Sequence, residues 1–217
     1  MGLIVFDFDG TLIDSANTVL KILNFMRLSE NKQSLQKKDL IPWISLGGRE
    51  LIRNALELDC ELLIDKNLDK FRQIYSREQS CEDDVYPYAV NFIKQLKVAE
   101  FKLAICTNKP RPLLDKILTE LSLAKYFDYS VAGDDLLTKK PNPNNLLICN
   151  DVLNISPEHT LLVGDSTVDQ NMADAAKIKF CFFSNGYNDG VDVKSANAVL
   201  SSYQNAFQIV QNLIKIT

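Results

Sequence analysis

The sequence predicts an α/β protein: a Rossmann-like, doubly wound parallel sheet core with an inserted α-helical cap domain. Two observations predict it. Short apolar runs of strand length alternate with longer segments of helical periodicity. One long stretch near the N-terminus breaks that rhythm, carrying helical periodicity and no convincing strand.

The first run, 3–8, is apolar on both alternating faces, as a parallel strand covered on both sides requires, and it ends in Asp7 and Asp9. Residues 16–84 then show apolar residues at helix spacing, such as Val19-Ile22-Leu23-Met26 and Leu51-Ile52-Ala55-Leu56. An ordinary crossover between parallel strands needs only about a dozen residues. The segment 16–84 is therefore an expected helical cap, leaving 1–15 and 85–217 as the catalytic core, with hinges near 14–16 and 83–87. Beyond Pro87 the alternation resumes. Helix 88–99 precedes strand 102–106, which ends in "TNKP"; helix 111–124 precedes strand 129–132, which ends in "GDD". Helix 143–153 leads to strand 161–163 and "GDS", and helix 169–177 leads to strand 181–183 and "SNG". A closing amphipathic helix over 203–216 places Tyr203, Ala206, Phe207, Val210, Leu213 and Ile214 on one stripe.

Composition narrows the function. Of 217 residues, 46% are hydrophobic and 24% charged, the balance of a globular protein rather than a disordered one. A net charge of −4 without a basic run argues against nucleic acid or an anionic membrane as partner. No apolar stretch has the length of a membrane span, and acids at 7 and 9 are foreign to a signal peptide. Five cysteines without a C-x-x-C spacing read as reduced, mostly buried thiols of a cytoplasmic protein. The single histidine, His159, is expected in a surface loop, which disfavours a Ser-His-Asp triad or a His-rich zinc site. Composition leaves the oligomeric state, monomer or homodimer, open.

In open α/β sheets ligands bind beyond the carboxyl ends of the strands, so residues at those ends share one pocket although far apart in sequence. Here that edge carries Asp7 and Asp9, then Thr107, Asn108 and Lys109, then Asp165, Ser166 and Asp169, with Lys139-Lys140-Pro141 before the fourth strand. A lone strand-end Asp often only caps a turn. Several carboxylates in one pocket need positive charge, and oxygen ligands without a Cys/His set suit Mg²⁺. A metal-bound Asp7 can act as nucleophile while Asp9 serves as acid, then base. The implied substrate is a phosphate ester: Thr107 and backbone N–H groups hold phosphoryl oxygens, Lys140 neutralises charge, and Gly10 admits the ligand close to the backbone. Neither G-x-x-x-x-G-K-[ST] nor G-x-G-x-x-G occurs, which removes a P-loop and weakens a dinucleotide site.

"DFDGTLIDS", "CTNKP", "KKPNP" and "VGDSTVD" stand in the order of the four motifs of the haloacid dehalogenase-like hydrolase superfamily, which the chain resembles over about 3–200. The second half is most similar to its phosphoglycolate phosphatases, through "AGDDLLTKKPNP", "LLVGDSTVD" and "NGYNDG". The resemblance implies that Asp7 becomes an aspartyl-phosphate, that Asp9 handles protons and lends its backbone carbonyl to Mg²⁺, and that Thr107 and Asn108 bind the phosphoryl group. It further implies that Lys140 pairs with Asp7 and that Asp165 and Asp169 serve the metal. The cap shows least similarity, and "VYPYAV", "AAKI" and Gln170 depart from the usual wording.

Arg49, after Gly47-Gly48, is expected to reach from the cap to a substrate anion, although a surface arginine opening a helix fits the same letters. Trp43 and Phe25 are expected in the cap core, and Tyr187 and Asn188 in a turn outside the site. The expected function is Mg²⁺-dependent hydrolysis of a small phosphorylated metabolite, 2-phosphoglycolate first. A β-phosphoglucomutase-like phosphomutase shares every core motif, and a phospho-accepting signalling protein shares the acids, Thr and Lys.

Overall fold

Uninterrupted runs rich in Val, Ile, Leu and Phe favour strands buried on both faces, and the structure, a computed structural model describing residues 2–214, is built on such strands. β1 (Leu3–Phe6), β2 (Lys102–Cys106), β3 (Tyr129–Val131), β4 (Thr160–Gly164), β5 (Lys179–Phe183) and β6 (Ala198–Leu200) form one sheet in the order β3-β2-β1-β4-β5-β6. Every neighbouring pair is parallel. The chain winds outward from β1 to β3, then returns to β4 on the other side of β1. A ligand crevice belongs at that reversal, beyond the ends of β1 and β4.

Between β1 and β2 lie α1 (Ala16–Leu28), α2 (Lys37–Ile44), α3 (Gly48–Ala55), α4 (Glu61–Tyr75) and α5 (Ala89–Val98). They are followed along the chain by α6 (Arg111–Glu120), α7 (Asn144–Leu153), α8 (Thr167–Ala176) and α9 (Ala206–Leu213). Alternation along the strands sorts the core into two layers. Ile4, Phe6, Leu103, Ile105, Leu161 and Val163 pack with α5, α6 and α9. Leu3, Val5, Ala104, Cys106 and Leu162 pack with α7 and α8. Helices α1 to α4 pack on one another, with Ile22, Leu23 and Met26 of α1 buried in the same cluster as Ile52, Ile64 and Leu68.

The two chain segments that lead into and out of these four helices meet. Ile13 and Val85 form an antiparallel bridge, flanked by Asp14 N–H to the Asp84 carbonyl at 2.8 Å and Tyr86 N–H to the Leu12 carbonyl at 3.0 Å. These are the segments expected as hinges.

Several expectations shift. β1 stops at Phe6 rather than residue 8, because Leu12 and Ile13 N–H groups turn back to the Phe8 carbonyl and close a tight loop around Gly10. β6 was not expected; it is three residues long, at the sheet edge, with Val199 exposed, so it carries no apolar run to read. The closing helix starts at Ala206, and Tyr203 lies ahead of it, stacked on Phe183 at 4.6 Å with its hydroxyl donating to the Thr11 carbonyl at 2.8 Å. Residues 215 and 216 of the expected helix lie outside the described residues. Phe25 is 61% exposed, not core, because it falls on the outer face of α1; Trp43 is partly buried against the core. The five cysteines are free, three buried and two (Cys60, Cys81) exposed. His159 is exposed. Among the described residues no helix is long and apolar enough to cross a membrane.

Candidate active site

The site begins where β1 runs out. The Asp7 N–H donates to the Val163 carbonyl at 2.9 Å, so backbone pairing with β4 continues one residue past the strand and holds Asp7 beside the end of β4. The Asp7 carboxylate meets Lys140 Nζ at 2.7 Å, and the same ammonium meets Asp169 at 2.7 Å. Asp165, just past β4, accepts from Thr11 Oγ1 at 2.8 Å and from the Tyr187 N–H at 2.7 Å. Asp169 sits in the first turn of α8, where Ser166 is the N-cap, and accepts from Ser166 Oγ at 2.6 Å, so one carboxylate closes a capping box and faces Lys140. Oxygens of Asp7, Asp165 and Asp169 lie within 4.8 Å of one another, and all three residues are buried.

Burial makes this cluster electrostatically incomplete. Burial first, then the neighbouring Asp169, pushes the Asp7 carboxyl up to about 7, against the pull of Lys140. Asp165 is driven well above the carboxylate range by burial, then by Asp7 and Asp169. Lys140 is held protonated: burial opposes its charge, but Asp169 and Asp7 outweigh it. Three carboxylates against one ammonium leave two negative charges uncompensated when all are ionised. A divalent cation with oxygen ligands fits that deficit, and neither Cys nor His stands in the cluster.

Asp9 lives in a different environment. Its carboxylate accepts from Ser15 Oγ at 2.5 Å, and Lys109 Nζ bridges both its oxygens at 2.9 and 3.1 Å. Lys109 Nζ also lies 3.3 Å from Tyr75 Oη at the end of α4, so this ion pair joins the sheet edge to the helical unit. Lys109 stands at the strand end in the sequence without an expected role. The signal it offered was charge: the acid at 9 needed a cation, and Lys140 is occupied by Asp7 and Asp169. Tyr187 was placed outside the site; it is buried, its N–H serves Asp165, and its hydroxyl lies 3.3 Å from Ser15 Oγ.

Thr107 and Asn108 both border the cavity above Asp7. Asn108 is largely engaged with protein: its Oδ1 accepts from the Lys140 N–H at 3.0 Å, and its Nδ2 donates to the carbonyls of Ser45 at 3.1 Å and Lys140 at 3.3 Å. It thereby positions Lys140 and ties the loop after α2 to the site. Gly10 has φ +85°, and a Cβ there would overlap an Asp165 oxygen. A Cβ on Gly186 would overlap Asp165 and the Gly10 carbonyl. The two glycines let three chain segments converge.

The cavity of about 80 Å³ has Asp7, Asp9, Thr107 and Lys140 on one side. Its other side is supplied by the helical unit: Leu51 and the α4 face Leu68, Phe71, Arg72 and Tyr75. Arg49, expected to serve this cavity, does not border it. It lies in the first turn of α3 and pairs with Glu61 and Asp65 of α4, on the outer side of the helices, because those acids lie within reach and leave its side chain 38% exposed.

The chain is similar to known proteins in sequence and in fold. A phosphoglycolate phosphatase of Psychrobacter arcticus is 34% identical over 221 residues, covering 98% of this chain and 96% of that protein. One from Colwellia psychrerythraea is 34% identical, covering 88% and 87%. The fold matches the crystal structure of a predicted phosphoglycolate phosphatase from Haemophilus somnus with a TM-score of 0.85 at 23% identity, over 97% of this chain and 98% of that one. Residues 4–183, which span β1 through β5 and so every acid of the cluster, match the sequence model of the haloacid dehalogenase-like hydrolases. The chain belongs to the haloacid dehalogenase-like hydrolase family.

Proposed function

We propose that this protein is a Mg²⁺-dependent phosphomonoesterase acting on a small phosphorylated metabolite, with 2-phosphoglycolate the first candidate. The observation that carries the reading is the buried set of three carboxylates answered by one ammonium, facing a cavity of about 80 Å³. The names of the relatives at 34% identity support the substrate.

Asp7, Asp165 and Asp169, with the Asp9 backbone carbonyl, would hold Mg²⁺, which would supply positive charge to the phosphoryl group. Asp7 attacks phosphorus, the bond to the ester oxygen breaks, and the phosphoryl group passes to the Asp7 carboxylate. Asp9 gives a proton to the departing alkoxide, then takes one from the water that releases phosphate from Asp7. Lys109 and Ser15 fix the Asp9 carboxylate in place for both transfers. Thr107 binds phosphoryl oxygens, Gly10 lets the backbone approach them, and Asn108 acts mainly by holding Lys140. Lys140 remains a cation beside the nucleophile throughout.

The test is release of inorganic phosphate from 2-phosphoglycolate, abolished by EDTA and restored by Mg²⁺. Another phosphate ester preferred a hundredfold would replace the substrate. Phosphate delivered to a sugar hydroxyl instead of water would replace the reaction.

A further inference from the structure

Six arginines occur in the chain. Arg27, Arg49, Arg53 and Arg111 have carboxylate partners, and Arg77 is exposed to solvent. Arg72 differs from all of them. It is half-buried, it borders the cavity, it makes no ion pair among the described residues, and its Nε is buried without a hydrogen-bond partner. Its position on α4 explains its direction. Leu68, Phe71, Arg72 and Tyr75 follow the i, i+3, i+4, i+7 spacing that puts residues on one helix face, and all four border the cavity.

A guanidinium is never neutral in a protein, so this face carries a permanent charge among apolar neighbours. Leaving such a donor unanswered is costly, and the acids that border the cavity have other partners: Asp7 pairs with Lys140, Asp9 with Lys109, and Asp134 accepts from the Arg111 N–H. The missing partner is an anion that arrives with the ligand. Lys140 and a metal held by the acids would meet the phosphoryl group at the sheet edge, and Arg72 borders the same cavity from α4, so one short ligand would face both ends. A carboxylate matches the planar guanidinium fork.

We propose that Arg72 is the specificity-determining residue of this site: it binds the carboxylate of a short phosphorylated acid and so selects that ester over neutral phosphate esters of the same size. This inference rests on the phosphatase reading above. It assigns to α4 the role that the sequence reading gave to Arg49.

The test compares 2-phosphoglycolate with 2-hydroxyethyl phosphate, which keeps the phosphate and replaces the carboxylate by a hydroxymethyl group. The ratio of their kcat/KM values is expected to fall about tenfold to hundredfold in Arg72→Met and Arg72→Gln, the range for a lost charge-assisted hydrogen bond. Arg72→Lys is expected to recover part of the ratio, since it restores the charge without the fork. A ratio equal to wild type in folded variants overturns the proposal, as does a wild-type protein that hydrolyses both esters equally. Calorimetry with phosphonoacetate and methylphosphonate separates this failure from failure of the hydrolase reading. If neither ester is turned over, the hydrolase reading falls, and weaker binding of phosphonoacetate alone in Arg72→Met still supports the arginine's role. Equal loss for both phosphonates, or no loss, ends it.

Discussion

The two sides of the cavity are built on opposite plans. At the carboxyl edge of the sheet the acids and the two buried lysines have partners in the protein, and only the exposed Lys139 borders the cavity without one among the described residues: Lys140 pairs with Asp7 and Asp169, Lys109 with Asp9, and Thr11 and Tyr187 serve Asp165. The partners come from the segments that follow β1, β2, β3, β4 and β5, and the deficit that remains is one of charge, suited to a metal. On the helical side the wall is largely apolar, and the cation that borders the cavity from it, Arg72, makes no ion pair among the described residues and has a buried Nε without a hydrogen-bond partner there. The difference separates the tasks: the sheet edge carries chemistry that any phosphate ester needs, and the helices carry the feature that a particular ester would satisfy.

The largest effect should come from the sheet side. Asp7→Asn keeps the shape of the side chain and removes the carboxylate proposed to attack phosphorus, so kcat is expected to fall by about 10⁴-fold or more for every phosphate ester, in contrast to the selective loss expected at Arg72. Quenched-flow measurement should find no phosphoenzyme. A variant retaining a tenth of wild-type turnover would dissolve the division of labour, because the chemistry would then not depend on residue 7.

Next in size is the coupling between metal and protons. An unfolded Asp titrates near 3.8, and burial followed by Asp169 places Asp7 at about 7 in the metal-free fold. Between those values the folded state binds more protons than the unfolded one, so this group's contribution to stability falls as pH rises from about 4 to 7. Mg²⁺ held by these acids, as proposed, would reverse that penalty by favouring the ionised form. Its stabilisation, about 2.7 kcal/mol at a hundredfold excess over Kd, should therefore be larger at pH 8 than at pH 6. Thermal unfolding with and without Mg²⁺ at the two values checks this; a shift in Tm that is larger at pH 6 would contradict the sign.

A smaller effect tests how tightly the sheet edge is drawn together. Gly186→Ala adds a methyl group that meets Asp165 and the Gly10 carbonyl, so Asp165 must move. Mg²⁺ affinity is expected to weaken about tenfold to hundredfold, the range for disturbing the support of a metal ligand, while the helical side stays as it is. Unchanged Mg²⁺ titration curves would mean that Asp165 has slack the packing does not suggest.

The two sides also differ in how far they could be read from the letters. The sheet edge was legible because short parallel strands bring sequence-distant stretches to one line, so Asp7, Thr107, Asp165 and the lysine before Pro141 converge by topology alone. Lys109 is legible at the strand end but its pairing with Asp9 is not, nor is that of Tyr187 with Asp165, because the partners lie 100 and 22 residues apart and nothing local marks them. β6 escaped because three residues with an exposed middle show no period. The helical side offered less. Periodicity gave the helices, but which stripe of which helix would face the cavity depends on how the four pack, and Arg49 and Arg72 are equally plausible until that is known.

That ambiguity supplies the last and smallest expected effect. Arg49 of α3 and Arg72 of α4 differ in what they meet: Arg49 faces Glu61 and Asp65 with its side chain 38% exposed, and Arg72 borders the cavity. Exposed ion pairs are screened by solvent and add little, so Arg49→Ala removes surface contacts that the cavity does not feel. The kcat/KM ratio of 2-phosphoglycolate over 2-hydroxyethyl phosphate should change at least ten times less in Arg49→Ala than in Arg72→Met. The reverse order would mean that the helices rearrange when ligand enters, bringing α3 rather than α4 to the carboxylate, and the contrast between a finished sheet edge and a waiting α4 face would have to be redrawn around residue 49.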